Sequence, residues 1–337
     1  MTVLVTGAAG FLGRPLTELL LARDEQVRML VRPEDRVGSL SATGADVRRA
    51  DINDHAAVAT ALRGVDQVLH CAARTGPWGP AAAYEQTNVR ALENLVRAAQ
   101  TAGVSRLVHV SSVTVHGNDV GGAADEDAPL RSEPNPYSRS KVAAEQLLAR
   151  MISEEGAPVT IVRPGWIYGP GDTASFARLA RQVETGRMMT VGSGENHLPL
   201  IYVRDAAQGV LLAGLAAAAA GKRYLLVNDE PVTQRAFLTA IAAELGARPP
   251  RYRIPYRLAL GLGATAEGLW RLTGRAEPPP LMRYGLQLLG GENWFSIGRA
   301  RRDLGFEPQV GMAEGIRLSA EWYRARPDVP DGVGARA

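Results

Sequence analysis

Short apolar runs rich in β-branched residues recur along the first half of the chain, at residues 2–6, 26–31, 47–50, 67–70, 107–111 and 159–162. Their length and continuity suit strands buried on both faces. Between them apolar residues return at helical spacing, as Leu12, Leu16, Leu19 and Leu20 do on one face. Strand and helix in turn predict an α/β fold: a doubly wound parallel sheet covered by helices on both sides.

From about Gly171 the pattern becomes irregular and richer in Gly and Pro. It returns to a strand at residues 224–227, ahead of a largely helical C-terminal region. A smaller second lobe interleaved with the first is the economical reading. Residues 1–170, with a return segment at 201–228, form the sheet domain; residues 171–200 and 229–327 form the substrate lobe; residues 328–337 form a polar, frayed tail. No repeat of 20 to 50 residues stands out. The alanine run at 216–220 sits at a helix end, where alanine is simply a good helix former.

Composition narrows the function. At 337 residues, 46% of them apolar, the chain can fill a substantial core. Its 38 basic and 35 acidic residues are intermixed, without a basic stripe that could track a phosphate backbone, so no nucleic-acid partner is expected. The first residues run straight into a strand with no basic leader. The most apolar late stretch, 258–266, is closed by Arg257 and Glu267 and is too short to span a bilayer. The expectation is a cytoplasmic protein with no membrane span. Cys71 is the only cysteine and reads as a small buried hydrophobe rather than a catalytic thiol. The five histidines never fall at ligand spacing on a helix, and no metal is expected.

The first chemical signal follows the first strand. Gly7-Ala8-Ala9-Gly10-Phe11-Leu12-Gly13 joins Thr6 to a helix. Glycines there let the backbone turn tightly and approach a pyrophosphate, whose charge meets the N–H groups and dipole of the helix N-terminus. The second strand ends at Val31-Arg32, where an acidic residue would bind the two ribose hydroxyls of NAD. An arginine there can pair with a 2′-phosphate, with Arg36 assisting, so charge favours NADP(H), with NAD(H) the alternative. Against this, Glu34 and Asp35 stand beside Arg32. Asp51-Ile52, after the third strand, either closes over the adenine or forms a turn that caps the helix before His55.

The second signal is Tyr137 with Lys141, four residues apart and so on one helix face, in a helix that runs to about Met151. Free tyrosine is a poor base at neutral pH, but a neighbouring ammonium and an oxidised nicotinamide both favour its phenolate. Ser112 ends the strand at 107–111, at the edge where ligands of parallel sheets bind, and its hydroxyl suits the orientation of a substrate oxygen. Tyr137 then exchanges a proton with an alcohol or ketone oxygen while hydride moves at carbon.

These motifs resemble the extended short-chain dehydrogenases along nearly the whole chain. Val110-Ser111-Ser112-Val113-Thr114-Val115-His116-Gly117 is similar to the family's serine-bearing segment, with His116 in place of the usual tyrosine, a change expected to leave the chemistry alone. The resemblance implies that Asn88 helps hold the cofactor and the proton path. It also implies that Ala72 and Ala73 are small because the dinucleotide passes close, and that Pro164 and Ile167 belong to the loop beside the nicotinamide. Arg90-Ala91 departs from the family's glycine-threonine pair. A homodimer built on helices near residues 85–100 and 137–151 is a further implication.

Within the family, sugar-nucleotide epimerases and dehydratases carry an arginine where this chain has Leu198, which weighs against an anionic nucleotide substrate. Gly76-Pro77-Trp78-Gly79, Pro278-Pro279-Pro280-Leu281 and the later Ala300-Arg301-Arg302-Asp303-Leu304-Gly305-Phe306 are similar to the 3β-hydroxysteroid dehydrogenase-like branch, which includes reductases of long β-keto acids. The expected function is therefore an oxidoreductase acting on a lipophilic ketone or alcohol. Leu258, Leu260, Leu262, Leu269, Trp270, Leu286 and Leu288 either line an apolar pocket or belong to the core, and a membrane-surface role for this stretch is a weaker reading. Some relatives keep the dinucleotide fold as redox-sensing binding proteins, but these usually lack the Tyr–Lys pair that this chain has.

Overall fold

The structure is a computed structural model that describes residues 1–38, 40 and 43–325. The tail expected at 328–337 lies outside the described residues. Seven parallel strands form one sheet. Five come first in the chain: β1 (Thr2–Thr6), β2 (Gln26–Val31), β3 (Asp46–Arg49), β4 (Gln67–His70) and β5 (Arg106–Val110). Across the sheet the order is Arg223–Leu226, Val159–Pro164, β5, β4, β1, β2, β3. The winding direction reverses between β1 and β4, and a crevice opens there at the carboxyl ends of the strands.

The strands form where the apolar runs predict them, within two residues at each end. Val3, Leu4 and Val5 of β1 have no solvent exposure, because helices cover both faces and no alternation is needed. On one side Leu16 and Leu20 of helix Gly13–Leu21 meet Val210 and Leu211 of helix Val203–Leu215 in a single cluster with Val3, Val5 and Met29. On the other, Leu92 and Leu95 of Ala91–Thr101 and Leu148 and Met151 of Pro136–Glu155 pack on Leu4, Val68 and Leu107. The edge strand β3 begins at Asp46 rather than Val47, since Asp46 is paired in register with Arg28 and accepts a 2.7 Å hydrogen bond from its Nε.

A third core lies beyond the sheet, where Tyr168, Phe176, Phe237, Ile241, Leu286 and Ile316 pack together. The helices Gln234–Glu244, Tyr256–Leu272, Arg283–Gly290 and Met312–Arg324 build it. One late segment departs from the expected division: Ile297, Ala300, Leu304 and Phe306 pack in the first core against the sheet, not in the second lobe. Among the described residues no helix is long and apolar enough to cross a membrane.

Candidate active site

The turn after β1 is closed by its glycines. Gly7 has φ +65°, and a Cβ there would come 2.9 Å from the backbone of Ala72; a Cβ at Gly13 would run into the carbonyl of Gly7. Gly10 donates from N to Gly7 O at 2.9 Å. The helix Gly13–Leu21 starts at Leu12 with no side-chain cap, so its first N–H groups face the crevice. Phe11 lies over Gly171, across the mouth. This cradle fits a pyrophosphate: it offers backbone donors and admits no Cβ that would push an anion away.

Ala72 and Ala73 continue β4 directly beneath the turn, and the Ala72 N–H donates to Thr6 Oγ1 at 3.2 Å. Thr6 Oγ1 in turn lies 2.7 Å from His70 Nδ1.

Tyr137 is the second residue of helix Pro136–Glu155, which Asn135 caps by accepting from Ser138 N at 2.8 Å. Burial pushes the Tyr137 hydroxyl up to about 12, and the Ser112 hydroxyl is close enough to oppose that shift by hydrogen bonding. Lys141 Nζ donates to Val110 O at 2.8 Å and lies 6.0 Å from the centre of the Tyr137 ring. Burial lowers its ammonium to about 8, against the pull of Glu145 and Cys71. Ser112, Tyr137 and Lys141 thus come together at the end of β5, one from a strand end and two from a helix face. Burial outweighs any help from the lysine, so the phenol is protonated at neutral pH, the form that donates a proton.

Asn88 sits in a single π-helical turn, Gln86–Arg90, at the point where the Arg90-Ala91 departure falls. Its Nδ2 donates to Arg74 O at 2.9 Å and Ser140 Oγ at 2.8 Å, and its Oδ1 accepts from Arg74 N at 2.7 Å. One amide therefore ties the loop carrying Ala72 and Ala73 to the helix carrying Tyr137.

Beneath these residues is a buried network that the sequence pattern does not reveal. Arg163 Nε donates to both oxygens of Glu145 at 2.9 and 3.1 Å, and Ser111 Oγ donates to the same carboxylate at 2.6 Å. Arg163 Nη1 also donates to Glu126 O at 2.8 Å and to His116 Nε2 at 3.0 Å, so the His116 proton is on Nδ1, toward Pro129 O. The chain therefore runs from His116 through Arg163 to Glu145, one helical turn from Lys141. The histidine that replaces the family's tyrosine is part of the support of the lysine. Next to it, His109 stacks on His70 at 5.4 Å, and among the described residues neither His109 ring nitrogen has a partner. Burial lowers His70 to about 3 and His109 well below the ordinary imidazole value. Cys71 packs at the margin of the core with its thiol pushed up to about 12 by burial, which keeps it an unreactive thiol.

The other expected cofactor residues lie around the crevice rim. Pro164 ends its strand in the sheet, and Ile167 is half-buried in Trp166–Tyr168, paired with Ile201. Arg32 is half-exposed and already engaged: Nη2 donates to Asp35 Oδ1 at 2.9 Å, with Glu34 at 3.4 Å. Asp51 forms a turn, accepting from Asn53 N at 2.8 Å, while Asp54 rather than Asp51 caps the helix His55–Ala61, and Ile52 is buried in the second core.

A narrow cleft lies between Trp78, Asn135, Met282, Arg283 and Tyr284. Tyr284 meets the Tyr137 ring edge-on at 6.2 Å. The roof is held by Glu267, which accepts from Arg283 N at 2.7 Å and from Arg283 Nη2 at 2.8 Å. Arg271 lies over the Trp78 ring at 5.7 Å, joining the roof to the loop after β4. None of the seven apolar residues expected to line a pocket lines this cleft: Leu286 is buried in the third core, whereas Leu258, Leu262 and Leu269 face outward. Leu198 is buried in the third core and leaves no cation at that place.

Residues 3–226 match the NAD dependent epimerase/dehydratase family. The chain is 36% identical over 327 residues to a 2-alkyl-3-oxoalkanoate reductase of Stenotrophomonas maltophilia (strain K279a), covering 94% of this chain and 98% of the relative. It is 33% identical to a 3-beta-hydroxysteroid dehydrogenase of Mycolicibacterium neoaurum, covering 99% and 94%. A short-chain dehydrogenase/reductase superfamily protein from Agrobacterium tumefaciens, solved with bound NAD, superposes with a TM-score of 0.74 at 25% identity, covering 97% and 98%. The chain belongs to the NAD dependent epimerase/dehydratase family, in the extended short-chain dehydrogenase/reductase group. It is an NAD(P)-dependent oxidoreductase that interconverts a ketone and a secondary alcohol.

Proposed function

We propose that this protein reduces the ketone of a lipophilic β-keto acid or sterol-like substrate with NADP(H), using Ser112, Tyr137 and Lys141. The observation that carries the reading is the phenol of Tyr137, half-buried, protonated, beside Ser112 and edge-on to Tyr284, which lines a narrow cleft together with Trp78 and Met282. The dinucleotide, when bound, supplies hydride. Gly7, Gly10, Phe11, Leu12 and Gly13 hold its pyrophosphate, Ala72, Ala73 and Asn88 shape its path, Asp51 and Ile52 border the adenine, and Pro164 and Ile167 bound the nicotinamide end. Ser112 orients the ketone oxygen and Tyr137 Oη gives it a proton as negative charge develops there. Lys141, tethered to Val110 O, faces Tyr137 and favours the phenolate left behind.

Arg32, at the end of β2, supports NADP(H) over NAD(H). The buried Leu198 argues against a sugar-nucleotide substrate. Residues 171–200 and 229–327 act as the substrate lobe, apart from the helix Gly298–Leu304, which packs with the sheet domain. A homodimer in the cytoplasm is in keeping with a groove beside helix Pro136–Glu155, lined by half-buried Val89 and Ala143 and buried Leu147 between charged rims.

Following NADPH and NADH oxidation with long-chain β-keto acids, ketosteroids and 4-keto sugar nucleotides tests the reading. Turnover is expected with one of the first two groups, and Tyr137→Phe should lower kcat by about 10²–10⁴-fold with cofactor affinity retained. Turnover confined to the sugar nucleotides, or a phenylalanine variant of full activity, refutes it.

A further inference from the structure

The helix Tyr256–Leu272 has two different faces. Ala259, Gly263 and Glu267 point inward and are buried. Leu258, Leu262, Leu269 and Leu272 are 54, 47, 56 and 86% exposed. At about 100° per residue these four leucines share an arc of roughly 80°, opposite the buried face. Tyr252, 71% exposed, precedes the helix, and Thr190 N donates to Tyr252 O, which sets the exposed Met189 beside it. Six of the eight exposed large apolar side chains among the described residues therefore gather on this one lobe.

The same segment is strongly basic. Residues 248–283 hold seven arginines and two glutamates, a net charge of +5, whereas the whole chain carries +3, so the remainder carries −2. Glu267 is buried and bonded to Arg283. Among the described residues Arg248, Arg251, Arg253 and Arg257 are exposed, make no ion pair and lie within ten positions of one another beside the leucine stripe. Left in water, an apolar stripe of this kind costs hydration free energy, and the unpaired arginines around it call for anions.

We propose that this face docks the protein on an anionic lipid bilayer surface. The leucines enter the acyl boundary while the arginines meet lipid phosphates, which is how amphipathic helices lie in an interface. The helix has 17 residues, with only one apolar face, so it lies on the bilayer and does not span it. Its opposite face carries Glu267 and Arg271, which line the cleft beside Tyr284. The inference goes beyond the proposed reduction and does not depend on it.

Flotation of the full chain with large unilamellar vesicles tests it. Binding is expected to vesicles of phosphatidylcholine mixed with phosphatidylglycerol and not to phosphatidylcholine alone. It should weaken at about 1 M salt, where charges are screened beyond about 3 Å. The triple variant Leu262→Ser/Leu269→Ser/Leu272→Ser should lose binding at least about tenfold, since each leucine loses its apolar burial. Arg251→Glu/Arg257→Glu should lose about tenfold or more. All five side chains face water, so the thermal midpoints should match the parent. No flotation, equal flotation with both lipids, or serine variants that float like the parent would each overturn the proposal. So would a concentration-dependent mass that the serine variant abolishes without any vesicle binding, since the occupant would then be a second copy.

Discussion

Arg32 shows why a residue's neighbours matter as much as its identity. Its guanidinium is held by Asp35 and Glu34, so a 2′-phosphate must outcompete two carboxylates for it. A charge-assisted bond to phosphate contributes about 1.5–3 kcal/mol, or roughly 10–100-fold. Arg32→Ala should therefore raise KM for NADPH by at least about tenfold and leave KM for NADH within about twofold. Equal losses with both cofactors would remove Arg32 from the discrimination. At this scale the sequence was informative wherever chemistry follows local spacing. Tyr137 and Lys141 share a face because four residues make about one turn, and Gly7, Gly10 and Gly13 are needed because each Cβ would meet backbone. It was silent on Arg163 and Glu145, an ion pair spanning 18 positions, since neither residue's surroundings in the chain mark it as buried.

Among the elements, the roof of the cleft is the pair of helices Tyr256–Leu272 and Arg283–Gly290, which pack with Gly263 against Leu286. One carboxylate joins them: Glu267 takes the backbone N–H and the guanidinium of Arg283. Glu267→Gln keeps the size but removes the charge that Arg283 faces, and Arg283 is partly exposed, so a loss of about 1–3 kcal/mol is expected, felt mainly in the roof. KM for the ketone should rise while KM for the nucleotide stays constant, with a modest drop in the urea midpoint. A lowered kcat at unchanged KM would show that the latch does not shape the cleft. The strands were readable in advance because burial on both faces leaves continuous apolar runs. The roof was not: its leucines have the spacing of a core helix, and only tertiary packing turns Ala259, Gly263 and Glu267 inward and Leu258, Leu262 and Leu269 out.

For the molecule as a whole, the sheet and the short turn Val113–His116 after β5 hold three imidazoles that resist protonation. His70 and His109 are register partners on β4 and β5, and His116 receives a hydrogen bond from Arg163. Burial lowers all three, with Lys141 adding to the effect on the first two and Arg163 on the third. In the unfolded chain each titrates near about 6.5. Above that pH both states are neutral and nothing is lost; below it the unfolded chain takes up protons that the folded protein refuses, so stability falls with pH. Each imidazole contributes up to about 1.4 kcal/mol per pH unit, giving up to about 4 kcal/mol for the three between pH 7.5 and 5.5. Glu126, Asp172 and Asp205 are shifted upward by burial and act in the opposite sense, but unfolded carboxylates titrate near about 4, below most of this window. Urea midpoints should therefore drop steadily from pH 7.5 to 5.5. His109→Leu isolates one share of the effect. Among the described residues both ring nitrogens of His109 already lack partners, so the leucine breaks no hydrogen bond there and should keep stability at pH 7.5 near that of the parent. Its stability curve should then fall about one third less steeply on acidification, because one of the three protons is no longer taken up. Parallel curves for parent and variant would mean that His109 protonates in the folded protein, and that the interior beneath Lys141 is more accessible to charge than its packing implies.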